Sequence, residues 1–133
     1  MAFANPDIMD AALTEMSDNA DTYIVSNGEP TDYDDATTDV DDGGSRMGDV
    51  AVDSDDFTLQ DGDPDGREVE VAAQSVSIDG TSTETNADYI AIVDDTNERL
   101  LIATPLEEER GYVDGDTAEV DAFTQRIADP TAE

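Results

Sequence analysis

The sequence predicts a mainly β protein: a single antiparallel β-sandwich or barrel-like domain of about eight short strands with a short N-terminal α-helix, spanning residues 1–133. Three observations predict it. Apolar residues alternate at strand spacing in short runs such as "REVEV" (67–71) and "SVSI" (75–78). Turn signals built on Gly, Pro, Asn and Asp separate those runs at regular intervals. A chain of 133 residues has room for one modest core, and it shows neither a tandem repeat nor a second domain.

The elements follow in order. Asn5 caps a helix over residues 6–18, with Pro6 at its first position and Asp7 in its first turn. Ile8, Met9, Ala12, Leu13 and Met16 fall on one face, which reads as a stripe covering the protein's own core. Residues 20–128 hold the strands. "TYIVS" (22–26) comes first, then the turn "NGEPT" and one helical turn in "TDYDDA" capped by Thr31. "DVDDGGSR" (39–46) is a loop, and "DVAV" (49–52) and "FTLQ" (57–60) are short strands. In "REVEVAA" (67–73), Val69, Val71 and Ala73 point inward and Glu68 and Glu70 outward.

"SVSI" is followed by the Asp79–Gly80 turn. "DYIAIV" and "RLLIAT", separated by "DDTNE", are the most apolar segments and read as a central hairpin covered on both faces. Pro105 ends the second of them, and "EEERG" is a charged loop. The last strand carries Ala118, Val120 and Ala122 inward. Its parity then shifts to Phe123 and Ile127, which implies a bulge near Ala122.

Composition bounds the chemistry. The formal net charge is −31, from 36 Asp and Glu against 5 Lys and Arg, and all five cations are arginines. Such a surface repels itself at low ionic strength and becomes tolerable, and strongly hydrated, in molar salt, where the Debye length falls to roughly 3 Å. It reads as adaptation to brine. Ile, Leu, Val and Phe number 25 of 133, close to the level of disordered chains, but their strand-like patterning argues for folding. High salt strengthens apolar burial and helps a thin core.

With no His, Cys or Lys, the usual general bases, thiol and amine nucleophiles and Cys/His zinc sites are missing. Nucleic acid is a poor partner for so acidic a chain. Apolar runs of four residues are too short for a membrane helix, and "MAFANPDIMD" lacks the marks of a signal peptide.

"DGDPDG" (61–66) matches the start of a calcium loop through Asp61, Asp63, Asp65 and Gly66. Position twelve of that loop needs a bidentate Glu and is Ala72, and the flanks are strand-like where an EF-hand needs helices. The segment therefore reads as a hairpin turn between "FTLQ" and "REVEV", with Pro64 and Gly66 as turn residues. A looser cation site on Asp61, Asp63 and Asp65 is the competing reading. The clusters "DYDDA", "DVDD", "DSDD" and "VDGD" read as solvated surface. Arg67 and Arg99 read as locally paired with neighbouring acids. No catalytic, cofactor-binding or metal residue is assigned.

The segments "IMDAALTEM", "GEPTDYDDATT", "FTLQDGDPDGREVEVAAQS", "DGTSTETNADYIAIVDDTNERLLIATP" and "RIADP" stand in an order that resembles a family of small virion structural proteins. These are capsid-decoration or head-associated proteins of tailed phages and haloarchaeal tailed viruses. The resemblance covers nearly the whole chain, and "EEERGYVDGD" departs from the pattern. It implies a non-enzymatic virion component without cofactors. Such a protein would oligomerise with copies of itself, bind the major capsid protein and other virion proteins at the capsid surface, and assemble in the host cytoplasm. A tail, baseplate or fibre component is the alternative within the virion. A cation-binding module using residues 61–66 is the alternative outside it.

Overall fold

A computed structural model of the chain describes residues 6–61 and 67–127. The protein is mainly β and antiparallel with a short N-terminal helix, the fold class its sequence predicts. The described elements are α1 (Pro6–Asn19), β1 (Thr22–Ser26), α2 (Tyr33–Thr37), β2 (Arg46–Ala51), β3 (Phe57–Asp61), β4 (Arg67–Val71), β5 (Gln74–Ile78), β6 (Thr85–Asp94), β7 (Arg99–Tyr112), β8 (Thr117–Val120) and β9 (Phe123–Ile127). The expected Asn5 cap lies outside the described residues.

The sequence points to one domain over residues 1–133, and the chain forms two compact units, each assembled from separated stretches. One comprises the described residues of Met1–Asn19, Asp53–Ala73 and Asp121–Glu133, and the other comprises Ala20–Val52 and Gln74–Val120.

In the first unit, β3, β4 and β9 form an antiparallel sheet in the order β3–β4–β9. Helix α1 packs on β3 and β4. Leu13 and Met16 from its apolar stripe are buried, as are Phe57, Val69 and Val71 of the sheet. Period-2 alternation explains the two valines. Glu68 departs from the expected outward position: it is only 8% exposed, and the Gln60 side-chain amide across the strand pair donates to its carboxylate. A buried carboxylate needs such a partner, and the neighbouring strand supplies it. Ala73, expected inside, lies beyond the end of β4 and is exposed.

The second unit is a six-stranded antiparallel sheet in the order β7–β6–β1–β2–β5–β8. Strands β7 and β8 stand at opposite ends of that order, yet only the turn Val113–Asp116 joins them. Five inter-strand spacings in a flat sheet would separate them by about 24 Å. The chain from Tyr112 to Thr117 spans about 18 Å at most. The turn is tighter still, because the Asp116 N–H donates to the Val113 carbonyl at 3.0 Å. The sheet must therefore curl, which is the barrel-like form the turn spacing predicts.

Strands β1 and β6 are interior strands of this sheet, each paired on both sides, and Tyr23, Ile24, Val25, Ile90, Ala91, Ile92 and Val93 are all buried. Helix α2 covers one face: Ala36 packs with Ile24, Ala91 and Val93, flanked by Tyr33 and Leu100. This explains why "YIAIV" is apolar on both parities. Gly48 lets β2 and β5 approach closely, since a Cβ there would collide with the Ser77 carbonyl.

Several expectations are corrected here. The cap of α2 is Asp32, not Thr31: the Asp32 carboxylate accepts from the Asp35 N–H at 2.8 Å, while the Thr31 N–H donates to the Asp35 carboxylate. Strand β2 begins at Arg46, earlier than "DVAV". The hairpin of "DYIAIV" and "RLLIAT" forms as β6 and β7, but only β6 is central. Pro105 does not end β7, which runs on to Tyr112. Proline is tolerated there because β7 is an edge strand, where a missing N–H costs no ladder bond. Finally, the parity shift near Ala122 is not a bulge in one strand. The exposed pair Asp121–Ala122 separates β8 from β9, which belong to different sheets.

Candidate functional site

Asp61, Asp63 and Asp65 are the sequence's one candidate cation site. Asp61 closes β3 opposite Arg67, so β3 and β4 are antiparallel neighbours, and the expected turn with Pro64 and Gly66 lies outside the described residues. Asp63 and Asp65 lie outside the described residues. Among the described residues, no group of three or more acidic side chains is arranged to hold a metal ion.

The aspartate clusters do more than coat the surface. In "DYDDA", Asp32 caps α2 and the Asp35 carboxylate accepts from Ser45 Oγ at 2.9 Å. In "DVDD", Asp41 accepts from both the N–H and the hydroxyl of Ser82 at 3.0 Å, closing a contact 41 residues away in sequence. In "DSDD", Asp53 and Asp56 form a reciprocal capping box. In "VDGD", Asp116 accepts from the Val113 N–H and Asp114 from the Thr81 N–H, both at 2.9 Å. Short carboxylate side chains satisfy backbone donors in turns, which is why Asp rather than Glu fills these places. Read from the sequence alone, these clusters are solvated surface. The available signal was their position immediately before helical turns and beside glycines.

Two cations are bound inside the second unit. Arg46, with 14% of its side chain exposed, bonds Asp39 at 2.7 Å and Asp49 and Asp79 at 2.8 Å each. Burial works against its charge, but the hydrogen bonds to Asp49, Asp79 and Asp39 prevail and hold the guanidinium above its ordinary value. Arg99 bonds the buried Asp94 at 2.9 Å, the local pairing its sequence suggests. The Asn97 side chain donates to the same Asp94 oxygen at 2.8 Å, and these bonds hold Asp94 below the usual carboxylate range against its burial. Next to it, Asp95 accepts from the Tyr33 hydroxyl at 2.8 Å and from Thr22 Oγ1, pinning α2 and β1 to the β6–β7 turn. The bond to Asp95 pushes the Tyr33 phenol up to about 12.

What remains outward is the edge of β7, which pairs only with β6. Leu100, Leu101, Ile102, Ala103, Thr104 and Leu106 are each partly exposed. Register shifts show how this strand is shaped. Leu101 has no partner on β6, because Ile92 faces Ile102 and Val93 faces Leu100. Further on, Ala87 faces Arg110 and Tyr89 faces Pro105, so residues 106–109 bulge opposite Asp88. The apolar run "RLLIAT" alone points to the covered centre, and Pro105 directly after it is the signal for an edge.

Together these features define an antiparallel β protein whose described carboxylates serve largely as caps, locks and surface charge. No family model matches the chain, and no curated protein or solved structure matches it either.

Proposed function

We propose that this chain is a non-enzymatic structural component of the virion of a tailed virus with a halophilic host, placed at the capsid surface against the major capsid protein. One observation carries the reading: the succession of segments from "IMDAALTEM" to "RIADP" that resembles small virion proteins over nearly the whole chain. Charge distribution supports it. Among the described acids only Glu68 and Asp94 are buried, so the acidity faces solvent, as a particle exposed to brine requires. The short Asp-locked turns also suit a component whose task is to hold shape rather than to turn over substrate.

Density mapping of purified particles, with the chain's peptides identified by mass spectrometry, tests the reading. Density for this protein on the capsid shell is the expected result. Density confined to the tail or baseplate would move the assignment within the virion. Intact particles without the chain would overturn it.

A further inference from the structure

We propose that Asn27 is a latent deamidation site, held shut in the folded chain by Asp88 and Asn86. Once this corner of the protein opens, the reaction leaves a product that no longer fits it. Of five asparagines only Asn27 is followed by glycine, in the turn that leaves β1. Deamidation begins when the backbone nitrogen after an asparagine gives up its proton and attacks the side-chain Cγ. A bond from that nitrogen to Cγ forms, the bond from Cγ to Nδ2 breaks, and Nδ2 leaves with the proton as ammonia. Water then opens the resulting succinimide at either carbonyl, giving aspartate or isoaspartate. Glycine favours the attack because it has no Cβ to crowd its nitrogen.

This glycine is one the fold requires. Gly28 stands at φ 80°, in the left-handed region, while nothing lies within 4 Å of the place a Cβ would occupy. The backbone angle, not crowding, therefore demands glycine, and the reactive pair stays in the chain. Asn27 is exposed, so water for the second step is at hand.

The structure nonetheless engages every group the first step uses. The Gly28 N–H donates to the Asp88 carboxylate. Removing its proton would set a nitrogen anion against that carboxylate, which is itself far too weak a base to drive the removal. Asn27 Nδ2 donates to the Asn86 carbonyl at 2.8 Å, and ring closure has to break that bond. The main chain is held on both sides of the reacting atoms. The Asn27 N–H donates to the Ser45 carbonyl, and Ser26 Oγ donates to the Gly28 carbonyl, both at 2.9 Å. These partners come from β6 and from the residue before β2, so the bonds exist only while β1 lies between those two strands.

The product suits this place badly. Aspartate at position 27 replaces the Nδ2 donor with an oxygen facing the Asn86 carbonyl, and adds a negative charge close to Asp88. Isoaspartate lengthens the main chain next to Ser26, which pairs with Arg46 on one side and Tyr89 on the other. A site that reacts only when open runs in proportion to the open fraction. A chain of charge −31 loses its screening when brine is diluted, so an excursion out of brine is recorded covalently at Asn27.

Mass spectrometry of the peptide containing Asn27, after incubation of the purified chain at mildly alkaline pH, follows the conversion of amide to acid. In guanidinium chloride, which unfolds the chain, Asn27 should convert faster than the other four asparagines. In folded chain held in molar KCl it should convert at least about tenfold more slowly than in guanidinium chloride. Asp88→Ala, with circular dichroism unchanged, should speed conversion of the folded chain about threefold or more, the factor for one lost hydrogen bond. Equal rates in folded and unfolded wild type would overturn the proposal. So would an Asp88→Ala chain that keeps its fold and converts no faster.

Should Asp88→Ala not fold, Asp88→Asn keeps an acceptor but removes the charge, and should still speed conversion. An unchanged rate there counts equally against the role of Asp88. Asn27→Asp makes one product directly and should melt below wild type in molar KCl. Equal melting temperatures would overturn the misfit of that product.

Discussion

Arg46 and Asp79 meet at 2.8 Å, and through that bond the start of β2 is tied to the turn that follows β5. The same Arg46 Nη1 reaches Asp39 at 2.7 Å, so one guanidinium neutralises acids from separate stretches of the chain. The backbone follows the same path: the Asp79 and Gly80 N–H groups both donate to the Met47 carbonyl, at 3.0 and 2.9 Å.

Arg46→Ala should therefore destabilise the fold by about 2 kcal/mol, below the usual cost of breaking a fully buried pair because Asp79 and Asp49 retain access to water. Arg46→Lys should lose less, since the charge stays and only the multidentate fork is gone. Urea unfolding in molar KCl measures both. Equal losses in the two variants would mean that the fork geometry, and not charge alone, carries the effect.

Asp94 gives the protein an acid-sensitive limb. Its bonds to Asn97 and Arg99 hold its folded-state ionisation below the ordinary carboxylate value. A lowered value stabilises the fold at pH above the ordinary value of about 3.9, and that stabilisation fades as pH falls toward the folded-state value. In thermal melts across pH, the gap in melting temperature between wild type and Asp94→Asn should be widest near neutrality and shrink on acidification. Comparing the two chains removes the opposite trend expected as exposed acids lose their mutual repulsion. A gap independent of pH would contradict the role given to Asp94.

Tyr33 acts at the other end of the scale. Its bond to Asp95 favours the neutral phenol and pushes its ionisation up to about 12. The contribution is complete below the ordinary phenol value of about 10 and disappears as pH rises from there through 12. Tyr33→Phe should cost roughly 0.5–1 kcal/mol at neutral pH, the lower part of the range of an ordinary hydrogen bond because this one is exposed. The difference should vanish in strong alkali. Near-UV absorbance titration should show two of the four tyrosines ionising late in wild type, Tyr33 and the buried Tyr23, with Tyr33 alone moving nearer the ordinary value in Asp95→Asn.

Salt should control folding as a whole. At a formal charge of −31, with the described acidity almost wholly at the surface, repulsion is screened in molar KCl and scarcely at all in millimolar salt. Far-UV circular dichroism should show β structure at high salt and lose much of it on dialysis to low ionic strength. A cooperative fold that persists in millimolar salt would end the brine-adaptation reading.

Local pattern determined much of this protein. The strands around Val69, Val71, Val76 and Ile78 could be read from alternation, β1 and the β6–β7 hairpin from apolar runs and turn residues, and α1 from its proline start and apolar stripe, because each depends on neighbours within a few residues. Tertiary structure decided what depends on distant partners. That β7 is an edge while β6 is central, that β8 and β9 belong to different sheets, and that Glu68 is buried beneath Gln60 all follow from which strand lies alongside, and period-2 spacing is blind to this. The aspartates divide in the same way. Their number announces a brine-facing surface, but only the folded chain brings Asp41 to Ser82, Asp95 to Tyr33 and three carboxylates to Arg46, because those bonds join segments far apart in sequence or meet around a side chain that burial first had to place.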